Sequence, residues 1–244
     1  MAGKSFLIDT SRCTACRGCQ IACKNWNQNG VEPTKNVGSH QNPPDLSGST
    51  FKLVRFSEHM GKDNKPVWLF FADQCRHCLE PPCKDVIEGY ADDGVVQDEA
   101  TGAVVYLPGS SKAPFDEVRQ SCPYNIPRQA ADGRLVKCTM CIDRVSNGLI
   151  PACVKTCPTG AMNFGDRDAM LALGKERLAK VQKMYPKAQL LDAEQVRTIF
   201  LVTADPKLYH EFAVAGLAPG ISRKLALRKL FRPARELAAK VKVG

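Results

Sequence analysis

Four cysteines fall within eleven residues near the N-terminus: Cys13, Cys16, Cys19 and Cys23, in the stretch CTACRGCQIAC. The whole chain holds twelve, and thiols accumulate in this way only for disulfide, metal or redox chemistry. The gaps of two, two and three residues choose among these. Three sulfurs at two-residue intervals along a curling loop can each reach a different iron of one cubane. The fourth stands on the helix that follows and points away, toward a second centre. Gly18 and Gly160 are expected to let the backbone approach closely, with amide N–H groups donating to the sulfurs.

The spacing is the bacterial ferredoxin pattern for [4Fe–4S] clusters, with Lys24 where proline is usual; Pro123 and Pro158 follow Cys122 and Cys157. A return motif is needed, and Cys138, Cys141, Cys153 and Cys157 supply it with an enlarged central loop. The expected ligand sets are Cys13, Cys16, Cys19 and Cys157 for one cluster, and Cys138, Cys141, Cys153 and Cys23 for a second. The middle of the chain repeats the pattern with gaps. Cys75, Cys78 and Cys83 lack their fourth member, for which Ile87 stands; Cys122 lacks companions at Lys112, Phe115 and Val118. Under the crossover rule the four missing thiols belong to one cluster, and the four that survive make a third. Three [4Fe–4S] clusters then use all twelve cysteines.

These ligands need elements to hold them. SFLID (5–9) reads as a strand leading into the first cysteine loop, and the Gly, Pro, Asn and Ser content of residues 28–50 reads as a loop. FKLVRF and VWLFF flank a polar turn, predicting a hairpin over 51–71, and GVVQDEATGAVVYLP predicts another. Residues 166–186 read as a capped amphipathic helix with apolar positions at Leu171, Leu178, Val181 and Tyr185, stopped by Pro186. VRTIFLVT reads as a further strand.

With 44% hydrophobic and 24% charged residues the composition is that of an ordinary globular protein. The opening residues do not read as a secretory signal, and no apolar run is long enough to cross a membrane. The net charge of +9 is concentrated: residues 221–244 carry eight Lys and Arg against Glu236, a net of +7, leaving +2 for the rest. Each cluster with four thiolates adds about −2, so three bring the loaded chain to roughly +3. Arg17, Lys24, Arg76, Lys84 and Lys137 adjoin ligands in sequence and either offset this charge or are ordinary solvated side chains.

The segments CTACRGCQIACKNW, DQCRHCLEPPCK, SCPYNIPR and CIDRVSNGLIPACVKTCPTGAMNFGD together resemble the iron–sulfur (beta) subunits of molybdenum or tungsten pterin oxidoreductases. The three-cluster arrangement is closely similar to the small subunit of soluble formate dehydrogenases of sulfate-reducing bacteria. The resemblance covers residues 4 to about 215. It implies an α+β fold of two ferredoxin-like domains, the second inserted into the first, with a C-terminal helix/strand extension. The implied boundaries are 1–50 with 133–165 for the first domain, 51–132 for the second, 166–216 for a helix/strand wrap and 217–244 for a basic tail. It further implies a non-catalytic electron-transfer subunit, and a large partner holding the pterin-bound Mo or W. A cytochrome or similar external carrier would complete the relay, in a periplasmic complex exported on the partner's signal or, alternatively, a cytoplasmic one.

Other readings remain open at this stage. The same relay could serve a sulfur-compound or sulfoxide reductase. A zinc-binding nucleic-acid module fits the C-x2-C pairs and the basic tail superficially, though not four sulfurs so close with one pointing away. A disulfide-stabilised scaffold is weaker, because a chain this long needs no staples. His77, between two ligands, is a candidate ligand or proton relay; His40, His59 and His210 read as structural. Trp26 and Tyr124 follow ligands and either shape the electron path or shield a cluster from water. Ile87, Phe115 and Val118 are expected to fill the space of the lost cluster.

Overall fold

The computed structural model describes residues 3–216 apart from residues 37 and 62; the expected basic tail at 217–244 lies outside the described residues. The strands are β1 (Lys4–Asp9), β2 (Leu53–Met60), β3 (Pro66–Asp73), β4 (Val95–Gln97), β5 (Val104–Tyr106), β6 (Arg128–Gln129), β7 (Leu135–Val136), β8 (Met162–Asp166), β9 (Gln189–Leu191) and β10 (Thr198–Val202). The helices are α1 (Gly18–Trp26), α2 (Pro82–Glu88), α3 (Phe115–Ser121), α4 (Ile142–Val145), α5 (Ala152–Lys155), α6 (Arg167–Val181) and α7 (Pro206–Tyr209). The protein is thus mixed α and β.

A four-stranded sheet in the order β8-β1-β10-β9 forms the centre. Its inner strands β1 and β10 carry the apolar runs FLI and IFLV, buried along their length, as strands covered on both faces must be. They pair in parallel, with Leu7 opposite Ile199, so nearly the whole chain forms the crossover between them. On one face lies α6. A side chain at Gly174 would meet Leu7 and Leu190 at 3.3 Å, so the bare glycine backbone lets the helix settle on the sheet. The helix has its expected place, but its buried positions are Arg167 and Gly174. Tyr185, expected on its apolar face, is exposed beyond its end. Within 166–216 the expected helix is α6 and the expected strand is β10, an inner strand of the sheet.

The hairpin β2–β3 packs on the opposite face. Its register runs from Leu53 opposite Asp73 to Met60 opposite Pro66, and Phe71 stacks on Phe200 with ring centroids 4.1 Å apart. The second expected hairpin is β4–β5, with Val95 opposite Tyr106. Residues 28–50 are a loop pinned by one carboxylate, since Glu32 Oε1 accepts from Lys24, Ser47, Ser49 and Thr50. Gln20 adds two clasps, donating to Asn42 O and accepting from Val54 N.

Two helix pairs stand outside the sheet: α1 packs on α5, and α2 on α3. Cys19 and Cys23 lie on α1 and Cys153 on α5, with Cys157 two residues past its end. In the other pair α2 carries Cys83 and Ile87, and α3 carries Val118 with Cys122 as its C-cap.

Candidate metal centres

The three C-x2-C loops are built alike. The residue two places after the first cysteine is left-handed in each: Ala15 at φ 53°, His77 at 45° and Met140 at 63°. None is glycine, the residue that adopts this conformation freely. The turn aims the amide of each back at the first sulfur. His77 N donates to Cys75 Sγ at 3.4 Å and Met140 N to Cys138 Sγ at 3.4 Å, and Ala15 N donates to Cys13. Arg17 and Cys141 are left-handed too, each as the N-cap of the helix that follows. The glycine expectation is corrected accordingly. Gly160 has a positive φ of 63°, but a side chain at Gly18 would make only an ordinary 3.6 Å contact with Cys16 Sγ.

Tertiary structure brings thiols from distant segments of the chain to face one another. Burial raises the Cys13 and Cys19 thiols, and the first faces Cys19 and Cys157 while the second faces Cys157 and Cys16. Burial raises Cys23 well above the ordinary range, and Cys138, Cys153 and Cys141 around it push the same way. Cys78 is raised by burial and by Cys75, Cys122 and Cys83, and these four line one enclosed cavity with His77, Tyr106 and Lys137. Burial carries both Cys122 and Cys153 up to about 12. Cys157 alone goes down: burial opposes this, but the N–H of Met162, the Thr159 hydroxyl and amide and the Ala161 N–H overcome it. Thiols raised by burial and mutual repulsion become thiolates only when a cation compensates them, as bound metal does.

The donors are all free cysteine thiols, the ligands that iron–sulfur cores take. Among the described residues no three His, Cys, Asp or Glu side chains close on a point that one metal ion could hold, as Zn–S bonds of about 2.3 Å require. Lys52 gives an independent sign. It is 2% exposed, and Nζ donates only to Ala72 O at 3.2 Å and Gln74 Oε1 at 2.6 Å. Among the described residues no carboxylate is paired with it. Burial lowers the ammonium's pKa; Cys19, Cys153, Cys138 and Cys23 more than reverse this. A buried cation needs anions nearby, and thiolates holding iron supply them. Sequence reading passed over Lys52; its signal was a lysine inside the apolar run FKLVRF.

The other candidates fall into place around these sites. Ile87, Val118 and Phe115 meet in one apolar cluster with Val86 and Val104, whereas Lys112 turns outward to Asp93. His77 is buried and its Nδ1 accepts the Val104 N–H at 3.1 Å, tying the ring to backbone. His40 packs against Trp68, His59 bonds Leu208 O and His210 lies against Phe71. Trp26 is half-exposed, donates to Asp143 and lies under Arg144. Tyr124 is buried beside the third set and donates to Asp192 at 2.8 Å. Of the basic residues, Arg76 and Lys137 are buried. Lys24, Lys84 and Arg17 are fastened to Glu32, Glu88 and His40 O.

Residues 66–167 match the 4Fe-4S dicluster domain family. The chain is 51% identical over 214 residues to the formate dehydrogenase subunit beta of Megalodesulfovibrio gigas, covering 87% of this chain and 99% of that protein. The chain belongs to the formate dehydrogenase iron–sulfur subunits. The formate dehydrogenase 2 subunit beta (cytochrome c-553) of Nitratidesulfovibrio vulgaris is also 51% identical, with 86% of this chain and 98% of that protein covered. The nitrate-inducible formate dehydrogenase iron-sulfur subunit of Escherichia coli is 38% identical, with 84% and 70% covered. Membership of this formate dehydrogenase family makes the chain an electron-transfer subunit of an oxidoreductase complex, not the catalytic one. Among the described residues no helix is long and apolar enough to cross a membrane.

Proposed function

We propose that this subunit carries three [4Fe–4S] clusters and relays electrons between a pterin-bound molybdenum or tungsten centre in a large partner subunit and an external carrier. The observation that carries this reading is that thiols far apart in sequence face one another in the pairings that the spacing predicts. The clusters are held by Cys13, Cys16, Cys19 and Cys157; by Cys23, Cys138, Cys141 and Cys153; and by Cys75, Cys78, Cys83 and Cys122. When bound, each supplies a one-electron carrier. The protein's own residues fix the positions, donate N–H bonds to sulfur and exclude water.

The order of the sites follows from which sulfurs face one another. Cys153 feels Cys19, joining the first two sets; Cys138 feels Cys75, joining the second to the third. Cys16 of the first set is exposed, so that end opens to the surface. At the other end, Cys83 of the third set borders the apolar cluster of Ile87 and Val118. The lost fourth site therefore terminates the wire and leaves no gap within it. The helix pairs α1/α5 and α2/α3 support the nested two-domain arrangement, with 51–132 inserted. A relative's name pairs it with cytochrome c-553, which favours a c-type cytochrome as the external carrier. Export to the periplasm on the partner's signal is part of the same reading.

The test is to purify the complex anaerobically, identify the large subunit, count iron and follow formate-dependent reduction of a dye and of cytochrome. About twelve irons in this subunit are expected. A zinc protein, or an iron count of eight or sixteen, overturns the three-cluster reading.

A further inference from the structure

Two lysines are buried where successive cluster sites meet. Lys52 is held by Ala72 O and Gln74 Oε1; Ala72 packs in one cluster with Cys19 of the first set and Cys153 of the second, and the charges of Cys19, Cys153, Cys138 and Cys23 act on the ammonium. Lys137 lies between the second and third. It is 4% exposed, Nζ donates to Val104 O and to Cys138 O, and the side chain lines the cavity of the third set. Neither is paired with a carboxylate among the described residues, so each retains its field for the cluster sites. Lys137 also sits 4.5 Å over the Tyr106 ring, which holds it in place. Arg76, the other buried cation at the third set, is committed to Asp73 at 2.9 Å.

We propose that Lys52 and Lys137 are fixed buried cations that raise the reduction potentials of the clusters on either side of them, most of all that of the middle cluster, which both flank. The inference rests on the three-cluster reading. The physical ground is that a cluster gains one negative charge on reduction, so a nearby cation favours the reduced form, and most strongly where water is excluded. Each transfer oxidises one cluster by one electron and reduces its neighbour by one; no bond or proton changes place. A cation beside both donor and acceptor stabilises the electron before and after the step. Each lysine thus raises both potentials beside it, and the middle cluster, flanked by two, rises most.

The two lysines are positioning residues, and their effect is read in potentials. The experiment is an EPR-monitored redox titration of the purified complex, comparing the unmodified protein with Lys52→Met, Lys52→Arg and Lys137→Met. Lys52→Met is expected to lower two of the three potentials, each by at least a tenfold change in the reduced-to-oxidised ratio, about 59 mV for one electron. Lys137→Met should also lower two, and only one cluster, the middle one, should respond to both. Lys52→Arg keeps the charge and should restore the unmodified values. No shift, an equal shift of all three, or loss of iron from both Met variants overturns the inference. An unmodified subunit without about twelve irons overturns instead the reading on which the inference rests.

Discussion

The helix pairs α1/α5 and α2/α3 place side chains at matching positions and use them differently. In the first, both rungs across the pair are thiols: Cys19 with Cys157 and Cys23 with Cys153. In the second, Cys83 faces Cys122, but the inner rung is Ile87 and Val118, fully buried in hydrocarbon. The same backbone arrangement thus accepts either a metal cage or an apolar core. What decides is whether four thiols converge, because three hydrocarbon side chains of comparable size satisfy the space by packing alone.

Removing the metal is the harshest test of this contrast. Stripping iron leaves clustered buried thiols in place of bonded cages, and the chain is expected to lose cooperative unfolding, followed by circular dichroism and limited proteolysis. Next, Cys122→Ala should cost the subunit about four irons and most formate-linked cytochrome reduction. Ile87→Ala on the other rung should keep all its iron and lose about 2–5 kcal/mol of stability through a cavity. Iron loss from Ile87→Ala would show that the rungs are not independent and break the comparison.

Asp73, at the end of β3 where the chain enters the third cysteine loop, tests the joint between the regions. It is fully buried between Arg55 at 2.8 Å and Arg76 at 2.9 Å. Asp73→Asn takes the carboxylate from the buried Arg76 guanidinium, while Arg55 keeps Asp45 at 2.7 Å, and should cost about 3 kcal/mol in denaturant unfolding. Burial pushes this carboxyl up, but Arg76 and Arg55 hold it below its ordinary range. Its contribution is present above about pH 3.9 and is lost as pH falls through the lower folded value. His210, 4.0 Å from Asp73, acts at milder pH. Burial depresses it to about 4 despite the carboxylate. Stability should therefore fall as pH drops from about 6.5 toward 4, and His210→Phe should flatten that slope in thermal melts. The smallest effect is expected from Tyr124→Phe. Losing the bond to Asp192 should cost about 1 kcal/mol and leave every potential unchanged, because the ring still fills its place beside the third set.

Much of the site was legible beforehand because it is local. The turn that points an amide at the first sulfur of each C-x2-C is complete within three residues, and hairpins show themselves by alternation about a polar turn. Ile87, Val118 and Phe115, expected to fill one space, did come together in one apolar cluster. The basic residues were misjudged because adjacency in sequence says little about burial. Lys24 and Lys84 border ligands and are spent on surface-side carboxylates, whereas Lys52, far from any cysteine in sequence, faces four. Nor could α6 be read correctly, since its closest approach is at Gly174, which hydropathy does not register.

Sequence alone therefore determined the chemistry: twelve sulfurs at spacings that only a cage of several irons can use, and the loops that hold them. The tertiary structure decided that β10 lies beside β1, which cysteines from distant segments face one another, and that Lys52 and Lys137 are sealed from water. Loop geometry depends on neighbours in the chain, which spacing records. The field at a buried site depends on whatever distant segments exclude water and bring their charges with them, and no spacing records that.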